Sequence, residues 1–312
     1  MISDQLDVVI VTFNSADVLG GLLDSLQVAL KSVPNARVVV ADNDSRDDSV
    51  PIALNHPIGA RVVRVGYNAG YAAGINAAVA EHGRKCALLL LNADIRLQPD
   101  CVTRMLTELA RPATGVVVPK TLHEDGTLSF SIRREPSLLS AWSEALLGGT
   151  LAGLIGLGEI SRRQADYATD HTITAASGAI LMVSPAARLA VGSWDESYFL
   201  YSEEVDYQRR VRAAGLEIRF VASAVCTHIG GESNVNPKLF SLLTANRLRY
   251  FRRHHRRLAT LLFRLALTVG SIMRLVSGPS HRAALKAAWM SNSEVARLVP
   301  SPRAAAAVVI NP

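Results

Sequence analysis

The sequence predicts an α/β protein with a doubly wound, mostly parallel sheet, followed by a helical extension at the C-terminus. Over the first hundred residues, short β-branched runs alternate with stretches in which apolar residues recur at helical spacing. The runs are apolar throughout, which is typical of strands buried on both faces of a parallel sheet. After residue 232 the pattern changes to basic, amphipathic segments. We therefore expect an α/β domain over residues 1–232 and a basic amphipathic helical extension over residues 233–312.

The order of the elements supports this fold. Buried strands are predicted at Val8–Val11, Val38–Ala41, Val62–Val65 and Ala87–Leu91, and Pro99-Asp100 marks the start of a helix. The stretches between the strands have helical stripes, and this alternation is typical of βαβ units. Further along, we predict a strand-like stretch at Ile173–Val183, a helix at Glu203–Ala214, and strands at Ile218–Val221 and Ala224–Thr227.

The stretch Leu138–Gly158 is rich in leucine and glycine, and Glu144 is its only charged residue. Its length suggests a membrane span. Its five glycines favour a mobile loop instead, because glycine weakens a helix interior. We therefore predict a loop here.

Composition excludes several classes of protein. Hydrophobic residues make up 49% of the chain and charged residues 19%, which excludes a disordered chain. The cysteines Cys86, Cys101 and Cys226 have no CxxC spacing, so neither a zinc ribbon nor a disulfide scaffold is expected. The N-terminal residues lack the basic region of a signal peptide. These features favour a cytoplasmic location.

Polar residues follow three of the predicted strands. These segments are Thr12-Phe13-Asn14, Asp42-Asn43-Asp44-Ser45 and Asn92-Ala93-Asp94. A single aspartate at a strand end is usually a turn former or a helix cap, but ligands of open α/β sheets bind at this edge. Asp42 is suited to accept the imide N–H of a uracil or thymine ring. Asp94 is suited to bind a hard divalent cation.

The sequence has neither of the usual phosphate-binding motifs, GxxxxGK[ST] or GxGxxG after the first strand. It has a different glycine-rich stretch. In GYNAGYAAG, glycines recur at Gly66, Gly70 and Gly74, and Asn68 and Asn76 add side-chain donors. These glycines either form a tight turn and allow close helix packing, or contact a nucleotide.

A cluster of carboxylates lies at Glu203, Glu204 and Asp206. Acidic residues favour the first turn of a helix, but three in four positions exceed what capping requires, and one of them is suited to act as a general base towards a sugar hydroxyl. The preceding Trp194-Asp195 suits the binding of a sugar acceptor, although a lone tryptophan more often belongs to the core. His228 ends a strand before glycines, where it is either structural or a ligand of the same cation as Asp94.

At this point the sequence resembles a known family. The segments VVIVTFNS, ADNDS, NAGYAAGIN, LLLNADIRLQPD, SGAILMV, WDESYFLYSEEVDYQRRVRAAG and VCTHIGGES are similar, in order and spacing, to family 2 inverting glycosyltransferases of the GT-A fold. The rhamnosyltransferase-like subgroup of bacterial cell-surface polysaccharide synthesis is the most similar, and the resemblance covers about Val8 to Ser233. It implies a nucleotide-sugar donor, dTDP- or UDP-linked, and Mg²⁺ or Mn²⁺ as the cofactor.

The resemblance also implies roles for individual residues. The nucleoside would be held by Thr12, Asn14 and Asp42, and the donor by Asn68, Gly74, Asn76 and Asn92. The metal would be held by Asp94 and His228, and Glu204 would be the catalytic base. The chain departs from the family at two positions, with Asn92 where many members have Asp and Glu204 where Asp is commoner. The longer glutamate leaves both Glu203 and Glu204 open as the base.

The C-terminal extension is strongly basic. Between Ser233 and Ser293 there are eleven Lys and Arg residues and no Asp or Glu. A helical stripe of apolar residues runs through Leu258, Leu261, Leu262, Leu265, Val269, Ile272, Met273 and Val276. This combination predicts an amphipathic helix in an anionic membrane interface. The alternative is that the helix packs on the α/β domain. Nucleic acid is not expected as the partner, because the sequence has no nucleic-acid-binding motif.

Together, these features predict an inverting transferase that moves a sugar, with rhamnose favoured, to a hydroxyl of a lipid-linked or polysaccharide acceptor. We expect it to be peripheral on the inner face of the plasma membrane. Another hexosyl or galactofuranosyl transferase of the family is the nearest alternative. A sugar-nucleotide pyrophosphorylase would carry a glycine-rich basic loop after the first strand, where this chain has VTFNS. A non-catalytic sugar- or membrane-binding module would need neither a metal carboxylate nor a base.

Overall fold

A computed structural model describes residues 5–80, 85–230, 236–300 and 308–310. Its strands are β1 (Leu6–Thr12), β2 (Ala36–Asp42), β3 (Arg61–Arg64), β4 (Ala87–Asn92), β5 (Ile95–Leu97), β6 (Thr114–Leu122), β7 (Leu128–Ser129), β8 (Ile132–Arg133), β9 (His171–Ile173), β10 (Ala175–Ala176), β11 (Ile180–Val183), β12 (Glu217–His228) and β13 (Val308–Ile310). Its helices are α1 (Ala16–Ala29), α2 (Ser49–Asn55), α3 (Tyr71–Val79), α4 (Cys101–Leu109), α5 (Leu138–Leu147), α6 (Gly149–Leu154), α7 (Pro185–Val191), α8 (Glu203–Ala213), α9 (Pro237–His254), α10 (Arg257–Met273), α11 (Pro279–Ala287) and α12 (Asn292–Ala296). The α/β architecture predicted from the sequence is confirmed.

One sheet organises the α/β part of the molecule. Strands β3, β2, β1 and β4 lie side by side in parallel. Strand β11 runs antiparallel between β4 and β6, while β12 is parallel to β6 and carries β5 antiparallel at its other side. The carboxyl ends of β1, β2 and β4 therefore meet at one edge, as the strand-end argument requires.

Helices cover both faces of the sheet, as alternation of side chains along each strand demands. On one face, α1, α2 and α4 pack on residues such as Val8, Ile10 and Leu89. On the other, α3, α7 and α8 pack on residues such as Val9 and Leu90. The sheet is thus buried on both sides, which explains why its strands are continuously apolar.

The predicted loop at Leu138–Gly158 is wrong, because the structure forms α5 and α6 there. Ser137 begins α5 with a capping box. Its side-chain oxygen accepts from the Ser140 backbone amide, and the Ser140 side-chain oxygen accepts from the Ser137 backbone amide. The glycines lie mostly at the ends of these helices rather than inside α5. Gly148, with φ of 86°, ends α5. In this part of the chain the glycines therefore delimit the helices rather than prevent them.

The C-terminal helices pack against the α/β part. In α9, the Asn246 side chain donates to the Leu200 carbonyl at 2.8 Å, and Arg247 forms ion pairs with Glu144 and Glu159. The predicted division between residues 232 and 233 lies outside the described residues. Within the described ranges, the structure has no helix that is both long and apolar enough to cross a membrane.

Candidate active site

The ends of β1 and β2 form the first part of the site. Thr12 lies opposite Asp42 in the parallel register, and both are buried. The Asp42 carboxylate accepts from the Ser45 amide at 3.2 Å, and Asn14 accepts from the Arg46 amide at 2.8 Å. Asn14 has a positive φ of 50°, a conformation that asparagine tolerates better than most residues. The structure thus brings the three predicted nucleoside residues to one edge of the sheet.

The glycine-rich turn forms the second part. Asn68 accepts from the Gly70 amide at 3.3 Å, and the buried Asn43 side chain donates to the Gly70 carbonyl at 3.1 Å. Gly70 has a φ of 89°, and a Cβ there would lie 2.1 Å from the Phe199 carbonyl oxygen. At Gly74, a Cβ would lie 2.8 Å from Val11 Cγ1, so close packing of α3 on β1 explains this glycine.

Asp94 and His228 form a candidate cation site. Pairing of β5 with β12 brings the two residues together, and His228 Nε2 lies 3.2 Å from Asp94 Oδ2. Asp94 Oδ1 is buried without a hydrogen-bond partner. At Gly230 a Cβ would lie 1.9 Å from Asp94 Oδ2, so only glycine leaves this oxygen its space. Asn92 ends β4 two positions before Asp94. Its backbone amide donates to the Ala179 carbonyl at 2.9 Å.

This donor set fits a hard divalent cation with few protein ligands. In the described part of the chain, no group of three or more His, Cys, Asp or Glu side chains is placed to hold a metal ion. A carboxylate and a histidine suffice where water and substrate phosphates complete the coordination, as is usual for Mg²⁺. A cation bound here would give the buried Oδ1 of Asp94 the partner that it lacks within the protein.

The carboxylate pair lies at the start of α8. Tyr201 and Ser202 reach the helix with positive φ values of 71° and 74°, an uncommon conformation that turns the chain sharply into Glu203. Burial, together with the charge of Glu204, raises the pKa of Glu203 well above its ordinary value. Glu203 also has one oxygen without a partner. The shift disfavours the charged form of Glu203, which makes Glu203 the weaker of the two candidates for the base.

Tyr71 lies between the two halves of the site. Its hydroxyl donates to the Gly178 carbonyl at 3.0 Å, and a Cβ at Gly178 would lie 3.1 Å from Glu204 Cβ. Burial raises the pKa of Tyr71, and the negative charges of Glu203, Glu204 and Asp94 raise it further. The three carboxylates therefore act electrostatically on one hydroxyl. The end of β4 also lies close to Glu204, because the Asn92 backbone amide donates to the Ala179 carbonyl while the neighbouring Gly178 packs against Glu204.

The predicted acceptor residues have internal partners. The Trp194 ring is buried and stacks on Tyr207 of α8, with centroids 4.2 Å apart. Asp195 accepts from the Ser197 amide and pairs with Arg253. The structure thus places the Trp194 ring in the core, which was the alternative for a lone tryptophan.

Asn76, predicted to support the donor, holds this segment in place. Its amide nitrogen donates to the Trp194 carbonyl at 2.9 Å and to Glu196 at 2.8 Å, and its oxygen accepts from the Trp194 amide at 3.0 Å. These contacts occupy the polar atoms of the side chain. Asn76 therefore positions the segment that leads to Glu203 and Glu204.

Sequence reasoning passed over Tyr71, Gly178 and Asn43 as site residues. Tyr71 and Gly178 lie inside segments that carry the family resemblance, NAGYAAGIN and SGAILMV, and Asn43 lies in ADNDS. The signal was therefore present, but nothing in one sequence indicates that Tyr71 contacts a glycine more than a hundred positions away.

Comparisons with known proteins show which family the chain is similar to. The family model described as Glycosyl transferase family 2 matches residues 7–173. The chain is 28% identical over 244 residues to the N-acetylglucosaminyl-diphospho-decaprenol L-rhamnosyltransferase of Mycobacterium tuberculosis, covering 72% of this chain and 76% of the relative. It is 22% identical over 218 residues to the low-salt glycan biosynthesis hexosyltransferase Agl10 of Haloferax volcanii, covering 69% of this chain and 64% of the relative.

Solved structures support the fold. The mannosyltransferase PcManGT from Pyrobaculum calidifontis, solved with GDP-Man and Mn²⁺, superposes with a TM-score of 0.57 at 15% identity, covering 91% of this chain and 85% of that one. Residues 1–349 of S. aureus TarS, solved with UDP, give a TM-score of 0.51 at 13% identity, with 94% of this chain and 91% of that one covered.

Proposed function

Because the chain belongs to glycosyl transferase family 2, we propose that it transfers a rhamnosyl group, with inversion, from a dTDP- or UDP-linked donor to a hydroxyl of a lipid-linked glycan. Membership of the family makes the protein a glycosyl transfer enzyme and sets aside the pyrophosphorylase and the non-catalytic module. The name of the mycobacterial relative supports both the rhamnosyl group and the lipid-linked acceptor.

The observation that carries the proposed chemistry is that the strand end before Asp94 and the helix start with Glu204 lie at the neighbouring residues Ala179 and Gly178. Transfer needs one place for the diphosphate of the donor and another for a base that faces the acceptor hydroxyl. We assign the first to Asp94 and His228, and the second to Glu204. We place the nucleoside at Thr12, Asn14 and Asp42. These residues lie at the carboxyl ends of β1 and β2, at the same edge of the sheet as the end of β4, which Asp94 follows.

Proton transfer to Glu204 accompanies the displacement. The acceptor oxygen forms a bond to the anomeric carbon while the bond from that carbon to the diphosphate oxygen breaks, and the electron pair leaves with the diphosphate. Glu204 takes the hydroxyl proton. A single displacement inverts the anomeric centre. Tyr71, bonded to the Gly178 carbonyl, supports the backbone against which Glu204 packs.

The proposed cofactor is Mg²⁺ or Mn²⁺, held by Asp94 and His228. When bound, a divalent cation supplies positive charge that stabilises the departing diphosphate. Asn92 stands two residues before Asp94 and offers an amide where a carboxylate would add charge. The protein therefore brings little negative charge of its own to the cation.

The proposed place of action is the inner face of the plasma membrane, where the enzyme would be peripheral. A lipid-linked acceptor presents its glycan at a membrane surface. The basic extension supports this location, since cationic segments are attracted to anionic lipid.

Transfer by the full chain tests the proposal. We expect dTDP-rhamnose, or a UDP-linked counterpart, to give a product with a lipid-linked N-acetylglucosaminyl diphosphate acceptor in the presence of Mn²⁺ or Mg²⁺, measured by mass spectrometry. Transfer from a UDP-hexose alone would favour the hexosyltransferase alternative. Absence of product with every dTDP- and UDP-sugar would contradict the proposal.

A further inference from the structure

Helix α10 faces solvent with its apolar side. The stripe predicted from the sequence lies outward: Leu258 is 70% exposed, and Leu261, Ile272 and Met273 are also exposed. The inner side of α10, with Phe263 and Ala266 fully buried, packs on α5 and α9. Most amphipathic helices bury their leucines in the protein core, whereas α10 exposes its leucines to solvent.

Helices α5 and α6 add to this surface. Leu139, which is 63% exposed, projects from α5 together with Leu146 and Leu147, and Leu151, Leu154 and Ile155 are exposed in or just after α6. A Cβ at Gly270 of α10 would lie 3.1 Å from the Ala145 Cα of α5, and Arg274 donates to the Ala145 carbonyl at 3.1 Å.

Exposed Leu146 and Leu147 follow Ala145 directly, and exposed Ile272 and Met273 follow Gly270, so the two helices carry exposed apolar residues beside their contact. We call the exposed leucine, isoleucine and methionine residues of α5, α6 and α10 the apolar face. Soluble monomers rarely expose contiguous apolar surface of this kind unless it binds a partner.

Unpaired cations lie on the same helices as the apolar face or on the next helix, α11. Arg256 and Arg257 at the start of α10, and Arg282 and Lys286 on α11, are exposed and have no ion-pair partner in the described part of the chain. Other basic residues of the extension are already paired within the protein, as Arg247 is with Glu144 and Glu159. The start of α10 thus has two unpaired cations directly before the exposed Leu258, and this combination of positive charge and apolar surface matches an anionic lipid surface.

A second copy of the chain matches this surface poorly. A two-fold symmetric dimer uses the same surface of both copies, so the unpaired cations of both copies would lie at one interface. Like charges at an interface oppose association. A lipid surface supplies both the apolar interior and the negative charge.

The start of α5 lies near the site. Helix α5 starts at Leu138, shortly after Arg133 at the end of β8, whose charge acts on Glu203. A chain of so few residues spans less than about 20 Å. A membrane that touched the start of α5 would therefore lie within that distance of Arg133, whose charge acts on Glu203.

We propose that the apolar face formed by α5, α6 and α10 inserts into the interface of an anionic bilayer and holds the site beside a membrane-borne acceptor. The inference rests on the proposed function, since a lipid-linked acceptor gives the face its purpose. It extends the membrane contact beyond the basic extension to α5 and α6, inside the α/β part of the chain.

Flotation of the full chain with vesicles tests the inference. We expect the protein to bind vesicles of phosphatidylcholine with phosphatidylglycerol, and binding to phosphatidylcholine alone to be at least about tenfold weaker. The paired substitutions Leu139→Gln and Leu146→Gln on α5, and Leu258→Gln and Leu261→Gln on α10, should each weaken binding about tenfold or more. Leu189→Gln on α7, equally exposed at 63%, is the matched control and should bind like the wild type.

Two measurements in the same samples separate the outcomes. Binding of dTDP or UDP with Mn²⁺ should be equal in all variants, so a failure of nucleotide binding counts against the proposed function and leaves the membrane result readable. Failure of the wild type to float, or equal flotation of wild type and α5 variant, would overturn the inference. It would also be overturned if sedimentation showed that the leucine substitutions dissociate a dimer while vesicle binding stays unchanged.

Discussion

Asp94 and His228 hold the place where charge on the donor must be balanced. The carboxylate has one oxygen against the histidine and one buried oxygen without a partner. Leaving such an oxygen unsatisfied costs about 1–3 kcal/mol, which a bound cation would recover. This single residue therefore carries the proposed dependence on metal.

Substitution of Asp94 tests this dependence. We expect Asp94→Ala to weaken binding of the nucleotide diphosphate in the presence of Mn²⁺ by about 10–100-fold or more, since even loss of a residue behind a ligand has an effect of that size. EDTA should lower the affinity of the wild type and leave that of the variant unchanged. Calorimetry measures both.

The control for this substitution is Asp24→Ala, because Asp24 is a surface carboxylate that is 77% exposed. It should bind like the wild type. If chelation changed neither nucleotide binding nor turnover of the wild type, the enzyme would be independent of metal, and Asp94 would have another role.

Helix α8 presents the carboxylate pair, and its position is fixed by contacts along its length. The Gln208 side chain exchanges two hydrogen bonds with the Ala176 backbone, at 2.8 and 2.9 Å. Glu135, in the segment between β8 and α5, pairs with Arg209 and Arg212 of α8 and accepts from Tyr250 of α9. The element that carries Glu204 is thus tied to the C-terminal helices.

The ionisation of Glu135 gives this tie a pH dependence. Burial would raise the pKa of Glu135, but the hydrogen bond from Tyr250 and the pairs with Arg209 and Arg212 lower it from 4.5 to about 2. Because the pKa of Glu135 is lower in the folded than in the unfolded protein, its ionised form stabilises the fold at pH values above about 4.5. This stabilisation is lost as the pH falls from about 4.5 to 2.

We expect Glu135→Gln to lower the free energy of unfolding at pH 7 by about 1–2 kcal/mol, a value reduced for the partial exposure of the side chain. The difference from wild type should shrink as the pH falls below about 4.5. Urea unfolding at several pH values measures it, with the exposed Glu124→Gln as a control that stays within about 0.5 kcal/mol. A difference that grew as the pH fell would contradict the ionic tie.

Considered as a whole molecule, the fold follows from local patterns where those patterns are unambiguous. The strands at Val8–Val11 and Ala87–Leu91 were predictable because buried parallel strands are apolar at every position. The strand edge that gathers Thr12, Asp42 and Asp94 follows from the same topology. The meeting of Asp94 with His228 needed the family resemblance, because their strands are distant in sequence.

Other features depend on tertiary packing that one sequence does not contain. The stripe through Leu258 was visible, but its outward direction depends on how α10 packs against α5. The sequence does not predict helix α5, because a glycine that ends a helix, such as Gly148, cannot be distinguished in one sequence from a glycine that prevents one. The burial of Trp194 depends on its stacking on Tyr207, which a tryptophan next to carboxylates does not indicate.

The most direct measurement is the initial rate of sugar transfer by Glu204→Gln beside that by Glu203→Gln, with donor affinity measured for both. Burial raises the pKa of Glu203 and so disfavours its charged form, and we therefore expect glutamine to replace it with little loss of rate. Loss of a general base typically costs about 10²–10⁴-fold, and we expect this loss for Glu204→Gln with donor binding intact. Near wild-type transfer by Glu204→Gln, or a dead Glu203→Gln beside an active Glu204→Gln, would contradict Glu204 as the base of the transferase.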